Sequence, residues 1–498
     1  MAPHFGHRQI WPLLAGVSLL AGCMTGTRPP APETVVLPDG FAAPLATSEQ
    51  AGTIAALLPV DDPGFIALRD TALGNAPDLA AAMARINVAR AGLRGAGAER
   101  FPNITGSASV TQQRINPAQF GGGGDSGDGG GPGGFVINQD QTLFSTSLNA
   151  SWDADLFGRL RAAERAAALR LDASTADAAA TRLALTADIA LNVADYRAVA
   201  ARRAVIDAEI ADLSALEALT GERARAGLVP EFDTVRAQSL LRRAESRRAP
   251  LVAEEGAIVA RLATLTGQSV QQVKAQLGAG DAQASAGFAS VPALRVPSTL
   301  LRARPDVVAA QYRLAAADAD LASAVASQYP SFSIQASLGL IALALGDLFS
   351  DDAIIGSVVG GATVPLLDFG RIGAQIDQRE AEAALAFADY RRVLFTALGD
   401  VEAALTAVAA SDAEVTALAR QAETDRDAAT LADIRYRNGL DDFLTVIDAQ
   451  RNANASAEAL VLAEANARRQ RIALYRAIGG EPQTATSVVE VVQPAEGP

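Results

Sequence analysis

The chain contains one pattern twice, and the spacing between the copies limits its fold more tightly than any other feature. Pro77-Asp78 recurs as Pro305-Asp306, Arg85 as Arg313 and Pro102 as Pro330, each 228 residues on. Phe157-Gly158-Arg159 recurs as Phe369-Gly370-Arg371, Asp188 as Asp400, Gly227-Leu228 as Gly439-Leu440, Gln238 as Gln450 and Gly267 as Gly479, now 212 residues on. The first copy therefore holds 16 extra residues between Pro102 and Phe157, the difference between the two offsets. That interval contains Gly121-Gly122-Gly123-Gly124 and Gly129-Gly130-Gly131-Pro132-Gly133-Gly134, the composition of a flexible loop. Asp125 and Asp128 within it lack the ligand spacing and closing glutamate of a calcium loop. Offsets this constant mark two tandem copies, about 74–267 and 302–479.

Each copy has the same internal order. A helix opens at Pro-Asp, where proline suits the first turn and aspartate complements the helix dipole, and it spans 78–100 or 306–328. Pro102 or Pro330 ends it. Two β segments follow, 103–111 and 142–152 in the first copy, 331–340 and 354–364 in the second. Phe332, Ile334, Ala336, Leu338 and Leu340 alternate onto one face, and Phe144, Thr146, Leu148, Ala150 and Trp152 onto another. A proline-free helix then spans 158–226 or 370–438, and Gly227 or Gly439 supplies a left-handed cap before a shorter return helix to Gly267 or Gly479. The long helix has 69 residues, or roughly 100 Å; the return helix 230–267 is roughly 57 Å and the opening helix roughly 35 Å. Stacked end to end, the two shorter helices nearly match the long one. The result is a helical wall with strands emerging from one end.

Composition narrows the function. Hydrophobic residues make up 49% of the chain but aromatics only 5%, and much of the rest is alanine, which suits thin, closely approaching helices. A net charge of −14 argues against nucleic acid and would favour cations in a pore. Both histidines, His4 and His7, lie in a stretch that reads as a secretory signal: Arg8, then the apolar run 10–20, then Leu20-Ala21-Gly22-Cys23. This resembles a bacterial lipobox, with cleavage before Cys23 and acylation (palmitate) of that cysteine; Met24, rather than aspartate, favours outer-membrane sorting. The mature chain then has no histidine and no free thiol, which removes histidine acid-base chemistry, Ser-His triads, cysteine nucleophiles and zinc sites. No metal or cofactor is expected beyond the lipid on Cys23. No later run of eighteen consecutive apolar residues appears, so no helix is expected to span a bilayer after processing.

Four strands cannot close a wide barrel, and open sheet edges cannot sit in lipid. Membrane barrels close with eight strands or more, so several chains must share one barrel. The order and motifs resemble the TolC family of outer-membrane efflux proteins, in its NodT-like lipoprotein branch. The resemblance covers about 65–480. It rests on Val296-Pro297-Ser298-Thr299-Leu300-Leu301-Arg302-Ala303-Arg304-Pro305-Asp306, Tyr329-Pro330-Ser331, Leu367-Asp368-Phe369-Gly370-Arg371, and the turns Arg225-Ala226-Gly227-Leu228 and Tyr436-Arg437-Asn438-Gly439-Leu440. Asn75-Ala76-Pro77-Asp78 fits, whereas the tryptophans expected just upstream are missing. The resemblance implies a mainly α fold with a membrane β-barrel: a homotrimer whose 12-stranded barrel in the outer membrane joins a long α-helical barrel in the periplasm. The number three comes from the resemblance; strand economy alone requires only more than one chain.

The domain order read from this is a signal peptide (1–22), a lipidated linker (23–64), a first repeat (65–267), an equatorial linker (268–301), a second repeat (302–480) and a tail (481–498). The implied function is the exit duct of a tripartite pump, conducting drugs or other small solutes. Its implied partners are outer-membrane lipid, a periplasmic adaptor and an inner-membrane RND pump. By the same resemblance Leu444, Asp448 and Arg451 form the gate, with Tyr436 helping to hold it closed. The spacing i, i+4, i+7 independently puts the first three on one helix face, where Asp448 and Arg451 can pair within or between chains, or form an ordinary surface pair. Arg225, Gly227, Leu228, Arg437, Gly439 and Leu440 would meet the adaptor, although the glycines end helices in any reading. Asp368-Phe369-Gly370 spells a kinase magnesium motif, but no nucleotide loop accompanies it, and it reads as the start of the long helix. The alternatives are an envelope-spanning structural coiled-coil lipoprotein, a carboxylate-based periplasmic hydrolase and the exit channel of a type I protein secretion system.

Overall fold

The computed structural model describes residues 53–114, 140–278 and 301–480, with 35, 38 and 40–42. Cys23, the glycine-rich loop and the tail 481–498 lie outside the described residues. The chain divides into two units, 1–37 and 38–498, and every element below belongs to the second. Two helices open it, α1 (Pro63–Asn75) and α2 (Pro77–Ala98). Strands β1 (Asn103–Arg114) and β2 (Asp140–Ala154) follow, then α3 (Arg159–Arg225), α4 (Glu231–Ser246), α5 (Arg248–Thr266) and α6 (Val270–Gly278). The second half has α7 (Pro305–Ala326), β3 (Ser331–Ala342), β4 (Ile354–Thr363), α8 (Arg371–Arg437) and α9 (Phe443–Ala477).

The long helices begin where an aspartate takes up free amides. Asp155 accepts from the amides of Leu160 (3.1 Å) and Arg161 (2.9 Å), and Asp368 from those of Gly370 (3.1 Å) and Ile372 (2.8 Å). Gly158 and Gly370 turn the chain into the helix at φ 82° and 86°. Asp368 is thus a helix cap. The 67 residues of α3 and of α8 contain no proline and pack largely through small side chains: Ala166, Ala190 and Ala397 are fully buried. Within α8 an 18-residue window reaches a mean hydropathy of 1.6, apolar enough by length and composition to cross a membrane. The same helix buries Leu394, Val401, Leu405 and Val408 within the folded unit, so its apolarity serves the wall.

The short helices do stack end to end. Gly267, at φ 67°, ends α5 so tightly that a Cβ there would stand 3.1 Å from the carbonyl oxygen of Asn75, beside Pro77. Gly479, its counterpart 212 residues on, ends α9 against Arg304 in the same way. Arg304 is buried, donates to the carbonyl of Ala477 at the end of α9 (2.5 Å) and grips Asp306 at the start of α7 (2.7 and 3.1 Å). One guanidinium thus closes a helix C-terminus and anchors the next N-terminus.

One expectation needs correction. The return helix of the first repeat is not continuous from 230 to 267: it breaks at Arg247. Pro250 has no N–H for the carbonyl of Ser246, and its ring crowds that oxygen. The guanidinium of Arg247 reaches Glu209 of α3 and Glu458 of α9 instead. The second repeat has no such proline, and α9 runs unbroken for 35 residues. Within the equatorial linker 268–301, α6 occupies 270–278, and 279–300 lie outside the described residues.

The first helix was not read from the sequence at all. Asp62 caps α1, accepting from the amides of Gly64 (2.8 Å) and Phe65 (3.3 Å), while Pro63 fills the first turn. Arg197 of α3 binds the same carboxylate at 2.8 and 3.1 Å and donates to the carbonyl of Leu277 at the end of α6 (3.0 Å). This buried pair ties three separate segments together. Burial pushes the Asp62 carboxyl up, but Arg197 and the two amides outweigh it and hold it below its ordinary value. Its stabilising contribution is therefore complete above the ordinary aspartate range and is lost as pH falls through the depressed folded-state value. We expect Asp62→Asn, which strands a buried guanidinium, to cost about 3–5 kcal/mol. Thermal unfolding followed by circular dichroism checks this: the variant should melt lower at neutral pH and lose part of the wild-type sensitivity to acid.

Candidate functional site

The sheet has the order β1-β2-β3-β4, every neighbour antiparallel. Its two hairpins share one register. Asn103 lies opposite Ser151 and Ser331 opposite Thr363, so offsets of 228 and 212 carry the first pairing onto the second. Trp152 lies opposite Ile334 and Leu148 opposite Leu338. The two apolar sets, read separately from the sequence, are therefore one face, continued by Ile104, Val110 and Val358. Those three side chains are 65–77% exposed in the single chain, and an apolar area of this kind needs lipid or a partner.

The opposite face is made mainly of small hydroxyl and amide groups. Ser107 bonds Ser147 (2.9 Å), Ser109 bonds Ser145 (2.8 Å) and Ser337 bonds Ser357 (2.8 Å) across strands, and Asn149 donates to Ser147 (3.0 Å). Leu143, Ile341, Ile355 and Val359 interrupt it. Among the residues of the four strands, Asp153 is the only charge on this face, at the end where β2 meets α3. Trp152 fixes that end by donating its indole N–H to the carbonyl of Arg100 (2.9 Å). Among the described residues, β1 and β4 each leave one edge without a strand partner.

At the far end of the long helices, two tips repeat each other bond for bond. Gly227 and Gly439 both have φ 71°. Leu228 N–H bonds the carbonyl of Arg223 and Leu440 N–H that of Arg435, both at 2.9 Å; Gly227 bonds Ala224 and Gly439 bonds Tyr436, both at 3.0 Å. This is the Schellman cap that glycine permits. It leaves Leu228 and Leu440 projecting, 74% and 67% exposed. Arg225 folds back onto the carbonyl of Gly221 (3.2 Å), and Arg437 pairs with Asp433 (2.7 Å).

The tips differ in one arginine that the sequence reading missed. Arg435 binds Asp441 across its own turn (2.5 and 3.0 Å). Its counterpart 212 residues earlier is Arg223, and the first repeat has Val229 in the place of that acid. Arg223 crosses to the second tip instead, lies 4.6 Å from the ring of Tyr436 and donates to the carbonyls of Tyr436 (3.4 Å) and Arg437 (3.1 Å). A cation thereby closes the C-terminus of a neighbouring helix. Comparing the repeats at these two positions would have found it.

Leu444, Asp448 and Arg451 lie together on the exposed side of α9, with Phe443, Val446 and Ile447 buried behind them. Asp448 and Arg451 do not pair within the protomer: among the described residues neither has an ion-pair or hydrogen-bond partner. Tyr436 does not share this face. It is 3% exposed, in the tip core with Leu216, Ala237 and Phe443, and its hydroxyl has no partner among the described residues.

A two-faced sheet on a long helical wall is also what comparison with known proteins finds. The profile of the family described as "Outer membrane efflux protein" matches residues 68–288 and 296–480. The chain is 30% identical over 485 residues to the pyoverdine export outer membrane protein OpmQ of Pseudomonas putida, covering 95% of this chain and 97% of that one. It is 28% identical over 419 residues to the toluene efflux pump outer membrane protein TtgI of Pseudomonas putida, covering 84% and 86%. The solved structure of the outer-membrane channel OprN is similar with a TM-score of 0.76 at 28% identity, covering 91% of this chain and all of that one. Together with the sheet and the wall, these matches make the chain a member of the outer membrane efflux protein family, a channel component of a tripartite efflux system in the outer membrane and not an enzyme.

Proposed function

We propose that three copies of this chain form one exit duct, lipid-anchored through Cys23, gated at the helix tips and serving small solutes. The observation that carries the reading is the sheet: four strands, one apolar face, one hydroxyl face and two unpaired edges. Backbone groups cannot stay unpaired in hydrocarbon, so the edges of one copy pair with those of the next. Twelve strands place the apolar faces outward in lipid and the serine rows around the lumen. That lumen is wide and nearly uncharged, which suits solutes of several kinds and leaves selection to the rest of the pump. The relatives named for pyoverdine and toluene support small molecules over proteins as the cargo.

Within this duct, a threefold ring of Leu444, Asp448 and Arg451 narrows the lumen at the tips. Because Asp448 and Arg451 are exposed and without partners in one chain, they are placed to pair between copies, which holds the ring shut. Tyr436 contributes from behind, through the tip core that Arg223 fastens. The exposed Leu228 and Leu440, framed by Arg225, Gly227, Arg437 and Gly439, form the surface for the periplasmic adaptor, which connects the duct to an inner-membrane RND pump.

Planar-bilayer recording tests the gate. Wild-type protein should conduct cations poorly, and Asp448→Ala or Arg451→Ala should raise the conductance severalfold; unchanged conductance in both removes the assignment. Arg223→Ala should loosen the second tip by about 1–2 kcal/mol. Faster protease nicking within 436–443, with the sheet unchanged by infrared spectroscopy, is the expected sign. The mass of the mature protein tests the anchor: an acylated N-terminal cysteine should be present, and Cys23→Ser should abolish it.

A further inference from the structure

Inside one chain, the repeats meet along a seam between α3 and α7. At the foot of the sheet, Phe157 stacks on Tyr329 (centroids 5.0 Å apart, planes at 22°) and leans on Phe332 (6.5 Å). Farther along, Asp177 of α3 pairs with Arg313 of α7. Near the sheet the wall runs α2-α3-α7-α8, so α3 and α7 have neighbours on both flanks, and among the described elements α2 and α8 each lack one there.

The repeat offsets carry these partners onto outer elements, where their counterparts stand open; the seam's other ion pair, Arg170–Asp320, is not repeated, its counterparts being Glu382 and Gly92. Phe157 maps to Phe369, which is 91% exposed and held at φ 53°, a conformation costly for a bulky side chain, with nothing among the described residues packed on its ring. Tyr329 maps to Phe101, 72% exposed, and Phe332 to Ile104, 69% exposed. Asp177 maps to Asp389 and Arg313 to Arg85, so the charges are kept. Asp389 has only Arg392 on its own helix, and Arg85 has no partner among the described residues. Ala173 and Ala316 are buried, whereas their counterparts Leu385 and Val88 are 63% and 74% exposed. Open halves of one contact therefore sit on opposite edges of the chain, those on α8 and β4 complementary to those on α2 and β1.

We infer that adjacent copies join through a replica of this internal seam, with Phe369 stacked on Phe101 of the next copy and Asp389 paired with Arg85 of the next copy. The in-chain pairing of Ser151 with Gln335 then sets the register between copies, Thr363 opposite Ser107 of the next copy. The inference rests on the proposed shared barrel and adds which side chains close it and in what alignment. The six seams of a trimer, three within chains and three between them, become near-equivalent, and the strained turn at Phe369 is held by its partner ring.

Cross-linking and charge reversal of the full-length protein in detergent test this. Oxidised Phe101→Cys/Phe369→Cys should run as covalent dimers and trimers on a non-reducing gel, while each single variant stays monomeric. Arg85→Asp or Asp389→Arg should lower the fraction of trimer surviving mild heating severalfold, and the double reversal should restore it, which decides the case even where the cysteine pair fails to assemble. A native mass of three copies with neither cross-link nor restoration overturns the seam and leaves the trimer standing. A native mass of one copy overturns the assembly itself.

Discussion

A peptide group in hydrocarbon has no water to bond, and that constraint governs the rest of this molecule. Four antiparallel strands satisfy one another except along the outer edges of β1 and β4. The side chains agree with the backbone. Ile104, Leu148, Leu338 and Val358 are displayed on one side, where no described element covers them, and a row of bonded serines lies on the other. Only a closed cylinder with lipid outside and water inside satisfies both faces and both edges. Matching registers in the two hairpins mean that the gene repeat is also a geometric repeat, so the next unit attaches without a change of rule.

The wall follows from the same repetition under different chemistry. Alanine-rich faces allow helices to lie close, and proline-free runs let α3 and α8 continue where their neighbours stop. The ends of the shorter helices are then the weak points. Charged side chains close them: Arg304 on the carbonyl of Ala477 and the Asp62–Arg197 pair on α1 and α6; Arg223 does the same for the end of the long helix α8. Each of these arginines fastens segments far apart in sequence, and each lies where a helix would otherwise leave bonding groups unmet.

Most of this architecture could be read from the residues because it depends on periodicity and punctuation. Constant offsets exposed the repeat, prolines and glycines marked the helix ends, and alternation marked the strands to within a few residues. What escaped depends on single residues or on partners distant in sequence. Asp62-Pro63 is a helix start of ordinary kind, overlooked because the repeat begins after it. Pro250 breaks a helix that its counterpart keeps whole, which a reading by analogy between the copies smooths over. The site was legible in part. Spacing put Leu444, Asp448 and Arg451 on one face, yet no local rule says that Tyr436 turns inward or that Asp448 and Arg451 lie apart within the protomer. Those outcomes are set by packing across the tip and by surfaces that a lone chain leaves open.

In the membrane, β1 and β4 are not edges. Amide hydrogen exchange of the protein in lipid nanodiscs, resolved strand by strand, measures this directly. The outward-pointing amides of β1 and β4 are expected to be protected to the same degree as those of β2 and β3. Rapid exchange along β1 and β4 beside slow exchange in β2 and β3 would contradict it.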